Sequence, residues 1–335
     1  MLRRRLPRSH RLPTAAARPL RTHQAQLLAV AQAIAAGAEL RDILAAVTPG
    51  GGKSLLPVLA AQALIGAGLV ERVVWVVPRD SLRLQAEEAF ADPHWRAALG
   101  HGLAVRAAEN APDPARGFAG YVTTYQGVAA APDLHLAEAR RHRTLLVVDE
   151  MHHLPAPDDA ARGDDADDPA QGWSAALLPL LECARVRLLL SGTLERSDGR
   201  RILWLSYRRG GRAGQTEVDL AAPGWAVVGY SRAQALAERA VLPVTFGALD
   251  GEARWLEPSV LGADGTRTRA EAGPHQLSGS HPTETTRPAL FTALRTGFAE
   301  ALLRRAFEAA RALRAERRAQ GVGPRGLGKL LVVAP

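Results

Sequence analysis

Between Thr22 and Leu190, short unbroken apolar runs alternate with stretches whose apolar positions recur every three or four residues. The runs Ile43–Val47, Val73–Val77, Tyr121–Thr124, Leu145–Val148 and Val186–Leu190 are of strand length and lack the polar alternation of a half-exposed strand. They predict strands buried on both faces. The periodic stretches predict helices over Thr22–Ala36, Lys53–Ile65 and Ser81–Phe90. On the first, Leu27, Leu28, Ala31, Ile34 and Ala35 share one side and Gly37 is the stop. Strands and helices in this alternation predict an α/β fold with a parallel sheet covered on both faces.

Residues 200–285 change character. The pattern predicts a helix over Ser231–Ala240, a strand over Val241–Gly247, a turn at Asp250-Gly251 and a second strand at Ala253–Leu256. Pro155–Gly172 and Gly262–Pro282 have no periodicity and read as surface loops. Pro288 opens a predicted long helix to Gln320, with Leu290, Leu294, Phe298, Leu302, Ala306, Ala309 and Leu313 on its apolar face. Its arginines read as the solvated side of a packing helix. Lys329–Val333 is a last apolar run of strand length.

Composition narrows the class. A chain of 335 residues that is 47% hydrophobic and 23% charged can bury a sizeable core, which excludes a wholly disordered chain and a disulfide miniprotein. The net charge is +8, but only Lys53 and Lys329 are lysines, so the arginine excess looks like GC-rich coding and is weak evidence for a polyanion partner. It is also uneven: residues 1–24 carry seven arginines and no acid, and 155–172 carry six aspartates and one arginine. The start, interrupted by Pro7 and Pro13, reads as a disordered basic arm over 1–18 rather than a transit peptide. The single cysteine, Cys183, excludes an intrachain disulfide and a cysteine-based zinc site and fits a reducing cytoplasm. No stretch approaches the ~20 apolar residues of a membrane span.

Two segments carry chemistry. Val47-Thr48-Pro49-Gly50-Gly51-Gly52-Lys53-Ser54 follows a predicted strand and opens a predicted helix, the context of a phosphate-binding loop (Walker A). Glycines let backbone N–H groups face phosphate oxygens, the helix start adds its positive dipole end, Lys53 can reach the β- and γ-phosphates, and the Ser54 hydroxyl can ligate Mg²⁺. The position held by Val47 is usually Gly or Ala. The second segment, Leu145-Leu146-Val147-Val148-Asp149-Glu150-Met151-His152-His153, ends a buried strand in two adjacent acids. Asp149 can hold Mg²⁺, and Glu150 can orient and activate an attacking water. Alone such a pair is more often a helix cap; with the glycine loop upstream the catalytic reading prevails.

The spelling Asp149-Glu150-Met151-His152, with Ser191-Gly192-Thr193 ending the next apolar strand, resembles motifs II and III of superfamily 2 helicases of the DEAD/DEAH group. The loop Gly50–Ser54 resembles motif I. Leu20-Arg21-Thr22-His23-Gln24, Pro78–Gln85, Thr123-Thr124-Tyr125-Gln126, Leu194–Tyr207 and Tyr230–Trp255 resemble further segments of the type III restriction-like branch, in the expected order. The resemblance implies a RecA-like P-loop domain that hydrolyses ATP with Mg²⁺ and moves on DNA or RNA. It implies that Gln24 reads adenine, that Thr48, Pro49, Gly50, Gly51, Gly52, Lys53 and Ser54 form the nucleotide loop, and that Glu150, Asp149 and Lys53 are catalytic. His152, Ser191, Gly192 and Thr193 would couple nucleotide to strand movement, and Arg79, Thr123 and Thr124 would touch the nucleic-acid backbone. Each also has a plainer alternative: Gln24 as a helix-start residue, Arg79 as a solvated charge, the threonines as strand residues, Ser191 and Thr193 as strand terminators.

The expected layout is a basic arm over 1–18, a RecA-like domain over 19–199, a mixed α+β connecting region over 200–325, and the first strand of a second RecA-like domain over 326–335. The second domain would supply motifs IV to VI, so hydrolysis by this stretch alone is expected to be weak. Open alternatives are a helicase-like translocase subunit of a restriction or phage-defence system with a methyltransferase or nuclease partner, an inactive nucleotide-binding relic, and a P-loop ATPase unrelated to nucleic acid.

Overall fold

The structure is a computed structural model that describes residues 19–108, 110–157, 169–210, 216–242, 252–257, 260–261, 265–276, 286–321 and 323. The chain divides into two compact units, Met1–Pro243 and Val244–Pro335.

The first unit holds β1 (Asp42–Val47), β2 (Arg72–Val77), β3 (Val105–Ala107), β4 (Gly120–Thr124), β5 (Thr144–Asp149), β6 (Val186–Ser191), a hairpin of β7 (Tyr207–Arg209) and β8 (Thr216–Val218), and β9 (Trp225–Tyr230). Its helices are α1 (Thr22–Ala35), α2 (Leu56–Gly66), α3 (Ser81–Ala91), α4 (Pro93–Leu99), α5 (Tyr125–Ala130), α6 (Pro132–Arg141), α7 (Pro169–Cys183) and α8 (Arg232–Ala237). Seven strands form one sheet in the order β3-β4-β2-β5-β6-β1-β9, and every pairing in it is parallel.

Alternation of side chains across the pleat divides the core into two layers. Ile43, Val73, Trp75, Leu145, Val147 and Leu188 pack with Leu27 of α1, Leu59 of α2 and Phe90 of α3. Leu44, Val74, Val76, Leu146 and Leu189 pack with Tyr125 of α5 and Leu177 and Leu180 of α7 on the other face. This is the α/β sheet covered on both faces that the apolar runs predict. At the N-terminal end of β1, buried Asp42 accepts from Arg187 Nη2 at 3.0 Å and from Trp204 Nε1 at 2.8 Å, and the Arg187 guanidinium lies 5.1 Å from the Trp204 ring centre. A desolvated ion pair is tolerated only when its polar atoms are matched in this way.

The second unit contains β10 (Glu252–Leu256), β11 (Val260–Leu261), β12 (Arg267–Thr268), β13 (Glu271–Gln276), α9 (Thr286–Ala293) and α10 (Gly297–Ala319). β10 pairs antiparallel with β13, and β11 with β12.

Several expectations change. The predicted helix 288–320 is two helices: the Thr296 hydroxyl donates to Ala293 O at 2.6 Å and accepts from Phe298 N at 3.3 Å, ending one helix and capping the next. No described residue of α10 is fully buried: Phe298, Leu302 and Ala306 are half-buried, and Ala309 and Leu313 are exposed. Gly262–Pro282 is not all loop, because β12 and β13 lie within it as partners of β11 and β10. Pro155–Gly172 ends sooner than its composition suggests, because Pro169 starts α7, a position where a missing N–H is harmless. β9 joins the sheet from beyond residue 199, where the sequence places the end of the RecA-like domain. The basic arm 1–18, the body of the acidic loop, the Asp250-Gly251 turn, most of Val241–Gly247 and the run Lys329–Val333 lie outside the described residues.

Candidate functional site

In a parallel sheet of this kind, loops that leave the C-terminal ends of neighbouring strands converge on one edge. Here β1, β5 and β6 are adjacent, so the glycine loop after β1, the acid pair at the end of β5 and Ser191-Gly192-Thr193 after β6 meet.

The glycine loop is shaped by what surrounds it. Gly52 has φ +92°, a left-handed conformation that favours glycine. A Cβ on Gly51 would fall 2.7 Å from Val47 Cγ1 and 2.8 Å from the Thr48 carbonyl oxygen, so no side chain fits there. Thr48 N–H donates to Tyr230 O at 3.0 Å, and Gly51 N–H donates back to Thr48 O at 2.9 Å. From the other side Arg21 Nη1 donates to Gly51 O at 2.5 Å and Gln24 Nε2 to Gly52 O at 3.3 Å, while Gln24 Oε1 accepts from Arg21 N at 3.0 Å. His23 stacks on Tyr230 with ring centres 4.0 Å apart. Burial, reinforced by the Arg21 charge, pushes the His23 ring down to about 4, so it is a neutral packing group at neutral pH. Past the loop, a 3₁₀ turn over Lys53–Leu55 leads into α2, and Ser54 is exposed at its start.

Lys53 Nζ forms an ion pair with Glu150 Oε1. The other Glu150 oxygen accepts from Gly192 N at 3.3 Å and lies 3.4 Å from His152 Nδ1. His152 Nδ1 also lies 3.0 Å from the hydroxyl of fully buried Ser191, which accepts from Thr193 N at 3.2 Å. Burial acts to raise the Glu150 carboxyl, but the bond and charge of Lys53, then Gly192 N–H and His152, outweigh it and the net direction is down. Glu150 is therefore a carboxylate. Asp149 goes the other way: burial raises its carboxyl to about 6 against the pull of Lys53, with Glu150 adding to the rise. Asp149 Oδ1 is buried and has no hydrogen-bond partner among the described residues. Burial also holds both His152 and His153 below the ordinary imidazole range.

A Cβ on Gly192 would meet Pro49 Cδ at 3.4 Å and Lys53 Nζ at 3.6 Å, so the third segment is in contact with the first. The structure thus brings together Pro49, Lys53, Glu150, His152, Ser191 and Gly192, with Asp149 and Thr193 alongside, and sets Gln24 on the far side of the glycine loop. It does not bring Arg79, Thr123 and Thr124 into this cluster. Arg79 is exposed beyond the end of β2. Thr123 is only 2% exposed at the end of β4. Thr124 is the N-cap of α5, accepting from Gly127 N at 3.0 Å. Replacing a threonine cap by alanine costs about 0.5–2 kcal/mol. Thr124→Ala should lower stability by that amount in denaturant unfolding and leave any nucleic-acid affinity within twofold.

Three participants escape sequence reasoning. Arg21 adjoins Gln24 and is legible only as part of the same short segment. Tyr230 is about 180 residues from the loop it abuts, with no signal linking the two. Arg196, which donates from Nη1 to His152 O at 2.8 Å, lies in the Leu194–Tyr207 segment, but the sequence reading gives it no role of its own.

Among the described residues, no helix is long and apolar enough to cross a membrane. The chain is 35% identical over 222 residues to the uncharacterized protein Rv2917 of Mycobacterium tuberculosis and 34% identical over 218 residues to the uncharacterized protein ML1624 of Mycobacterium leprae. These matches cover 65% and 64% of this chain but 32% of each relative, so the chain spans about a third of the length of the curated relatives it matches. Among solved structures it is similar to the Sulfolobus solfataricus SWI2/SNF2 ATPase core in complex with dsDNA (17% identity, TM-score 0.39, covering 56% of this chain and 35% of that one). It is also similar to T4 UvsW (16% identity, TM-score 0.35, covering 52% and 30%). Residues 18–196, more than half of the chain, match the family described as type III restriction enzyme, res subunit, and span the glycine loop, the acid pair and Ser191–Thr193. With its motifs meeting at one edge of a parallel sheet, the chain belongs to this family of superfamily 2 helicases and carries its helicase-like motor domain.

Proposed function

We propose that this domain binds ATP with Mg²⁺ and that, in the complete protein, it couples hydrolysis to movement along DNA. The observation that carries the reading is the meeting of Lys53, Glu150 and Gly192 at one sheet edge beside a buried carboxylate oxygen, Asp149 Oδ1, that has no hydrogen-bond partner among the described residues. A buried partnerless carboxylate is costly unless something charged completes it, and a divalent cation does so. The donor set fits: Asp149 and the exposed hydroxyl of Ser54 are hard oxygen ligands, and Gly50–Lys53 supply the anion cradle. When bound, Mg²⁺ would neutralise charge developing on the phosphoryl oxygens. Lys53 would leave Glu150 for the phosphates, and Glu150 would accept the proton of the attacking water. His152 and Ser191 would report the state of Glu150 to the segment after β6. Gln24 would read adenine, and Arg79 would face the nucleic-acid backbone.

The family match favours a more specific setting, a translocating subunit that works beside a methyltransferase or nuclease, as in a type III restriction system. DNA is the polymer proposed; RNA is the competing substrate of the same electrostatic class.

The test measures Mg·ATP binding by calorimetry, then binding of a fluorescent duplex by anisotropy across a salt series. Binding is expected to weaken as salt rises, with log K falling linearly in log salt at about −0.9 per phosphate contacted. Mg·ATP binding together with salt-insensitive or absent nucleic-acid binding would point instead to an ATPase that does not act on nucleic acid.

A further inference from the structure

Arg196 lies five residues past the end of β6, yet its guanidinium is engaged at the acid-pair turn. Nη1 donates to the His152 carbonyl at 2.8 Å, Nε to Asp198 Oδ1 at 3.0 Å and Nη2 to Asp198 Oδ2 at 2.5 Å. The side chain is 10% exposed. Asp198 also accepts from Arg200 Nε and Arg200 N, each at 3.1 Å. The Arg196 hydrogen bonds, with help from Arg200, hold its carboxyl down to about 2, so the clamp is charged throughout the physiological range.

The chain on either side is joined without Arg196. Ala156 N donates to Arg201 O at 2.8 Å, Leu203 N donates to Leu154 O at 2.9 Å, and Pro155 and Ile202 form an antiparallel bridge. These bonds fasten residues 154–156 to 201–203 but do not reach the turn Met151–His153. What reaches it is Arg196, at the one residue of the turn whose ring lies against both Glu150 and Ser191. His152 is held at its carbonyl from one side and at its imidazole from the other. A planar guanidinium suits this position, because two of its N–H groups grip a carboxylate while a third points elsewhere, a geometry an ammonium does not offer.

We infer that Arg196, clamped by Asp198, is a positioning residue: its bond to the His152 carbonyl fixes the turn Met151–His153 and, through His152, orients the Glu150 carboxylate. The consequence for turnover rests on the ATPase reading above; the tether itself does not.

The test uses the 335-residue chain with Arg196→Ala, Arg196→Lys and Asp198→Asn. Three quantities are read: amide hydrogen exchange at His153 and Leu154, Mg·ATP affinity, and steady-state ATP turnover. In Arg196→Ala, exchange at these two amides should rise about tenfold, as expected for loss of a charge-assisted hydrogen bond, while amides within β5 and β6 keep their protection. Mg·ATP affinity should stay within twofold, because Lys53 and the glycine loop are untouched. Turnover should fall about tenfold in kcat at unchanged KM. Asp198→Asn should move each quantity the same way by less, and Arg196→Lys should not restore them. Unchanged exchange at His153 and Leu154 would overturn the inference. So would a rise spread equally over β5 and β6, which marks a merely structural role, or full rescue by lysine, which marks charge alone. If the unaltered chain neither binds nor hydrolyses Mg·ATP, the ATPase reading fails, and the exchange measurement still decides the tether.

Discussion

Lys53→Ala should remove most of the affinity for Mg·ATP. Lys53 is the cation proposed to leave Glu150 and meet the phosphates, and truncating one partner of a buried, hydrogen-bonded charge pair across a binding contact costs about 2–5 kcal/mol. That corresponds to a fall in affinity of roughly 30-fold to more than a thousandfold. The same change leaves Glu150 with Gly192 N–H and His152 as its remaining neighbours, so its carboxyl should rise toward protonation. Calorimetric titration with Mg·ATP reads the first effect directly. An affinity within threefold of the unaltered chain would show that the glycine loop is not the phosphate site.

Glu150→Gln should give the opposite split. Glutamine keeps the length and an oxygen to accept from Gly192, so Mg·ATP binding should persist, tightened to the extent that Lys53 is released from its ion pair. What disappears is the group that accepts a proton from water, and general-base catalysis of this kind contributes about 10²–10⁴ in rate. Turnover should fall by that factor while nucleotide affinity holds or improves. A phosphate-release assay beside equilibrium binding separates the two. Turnover within fivefold of the unaltered chain would assign the base to another residue, with His152 the next candidate by proximity.

The parts of this molecule legible in the sequence are those whose physics is local. β1, β2, β5 and β6 are covered on both faces, so each is a continuous apolar run, and the expected and observed bounds differ by only a residue or so. The glycine loop is legible because Gly51 and Gly52 answer steric demands that only glycine meets. β3 is three residues at a sheet edge and β9 is partly exposed, so neither presents a long apolar run. α4 follows α3 after a single residue, Asp92, which caps it through His94 N and Trp95 N. Tyr230 against Gly51 and Arg196 against His152 are products of chain topology; the sequence marks the segments they lie in but not these contacts. Thr124 follows a strand and precedes a helix, which is sufficient reason for a cap residue.

The seventh strand has a consequence for how the site comes into being. The match to the family ends at residue 196, but β1 lies between β6 and β9, so a chain ending there would leave β1 as a bare edge. A flat apolar edge with a row of unpaired backbone groups is a template for pairing with another chain. During synthesis the glycine loop emerges more than 170 residues before Tyr230, and until β9 docks, Thr48 N–H lacks its acceptor. Closing a contact so distant in sequence is slow compared with forming a helix. The glycine loop therefore acquires its final shape late in folding. Exposure of β1 as a sheet edge ends with the arrival of a single peripheral strand.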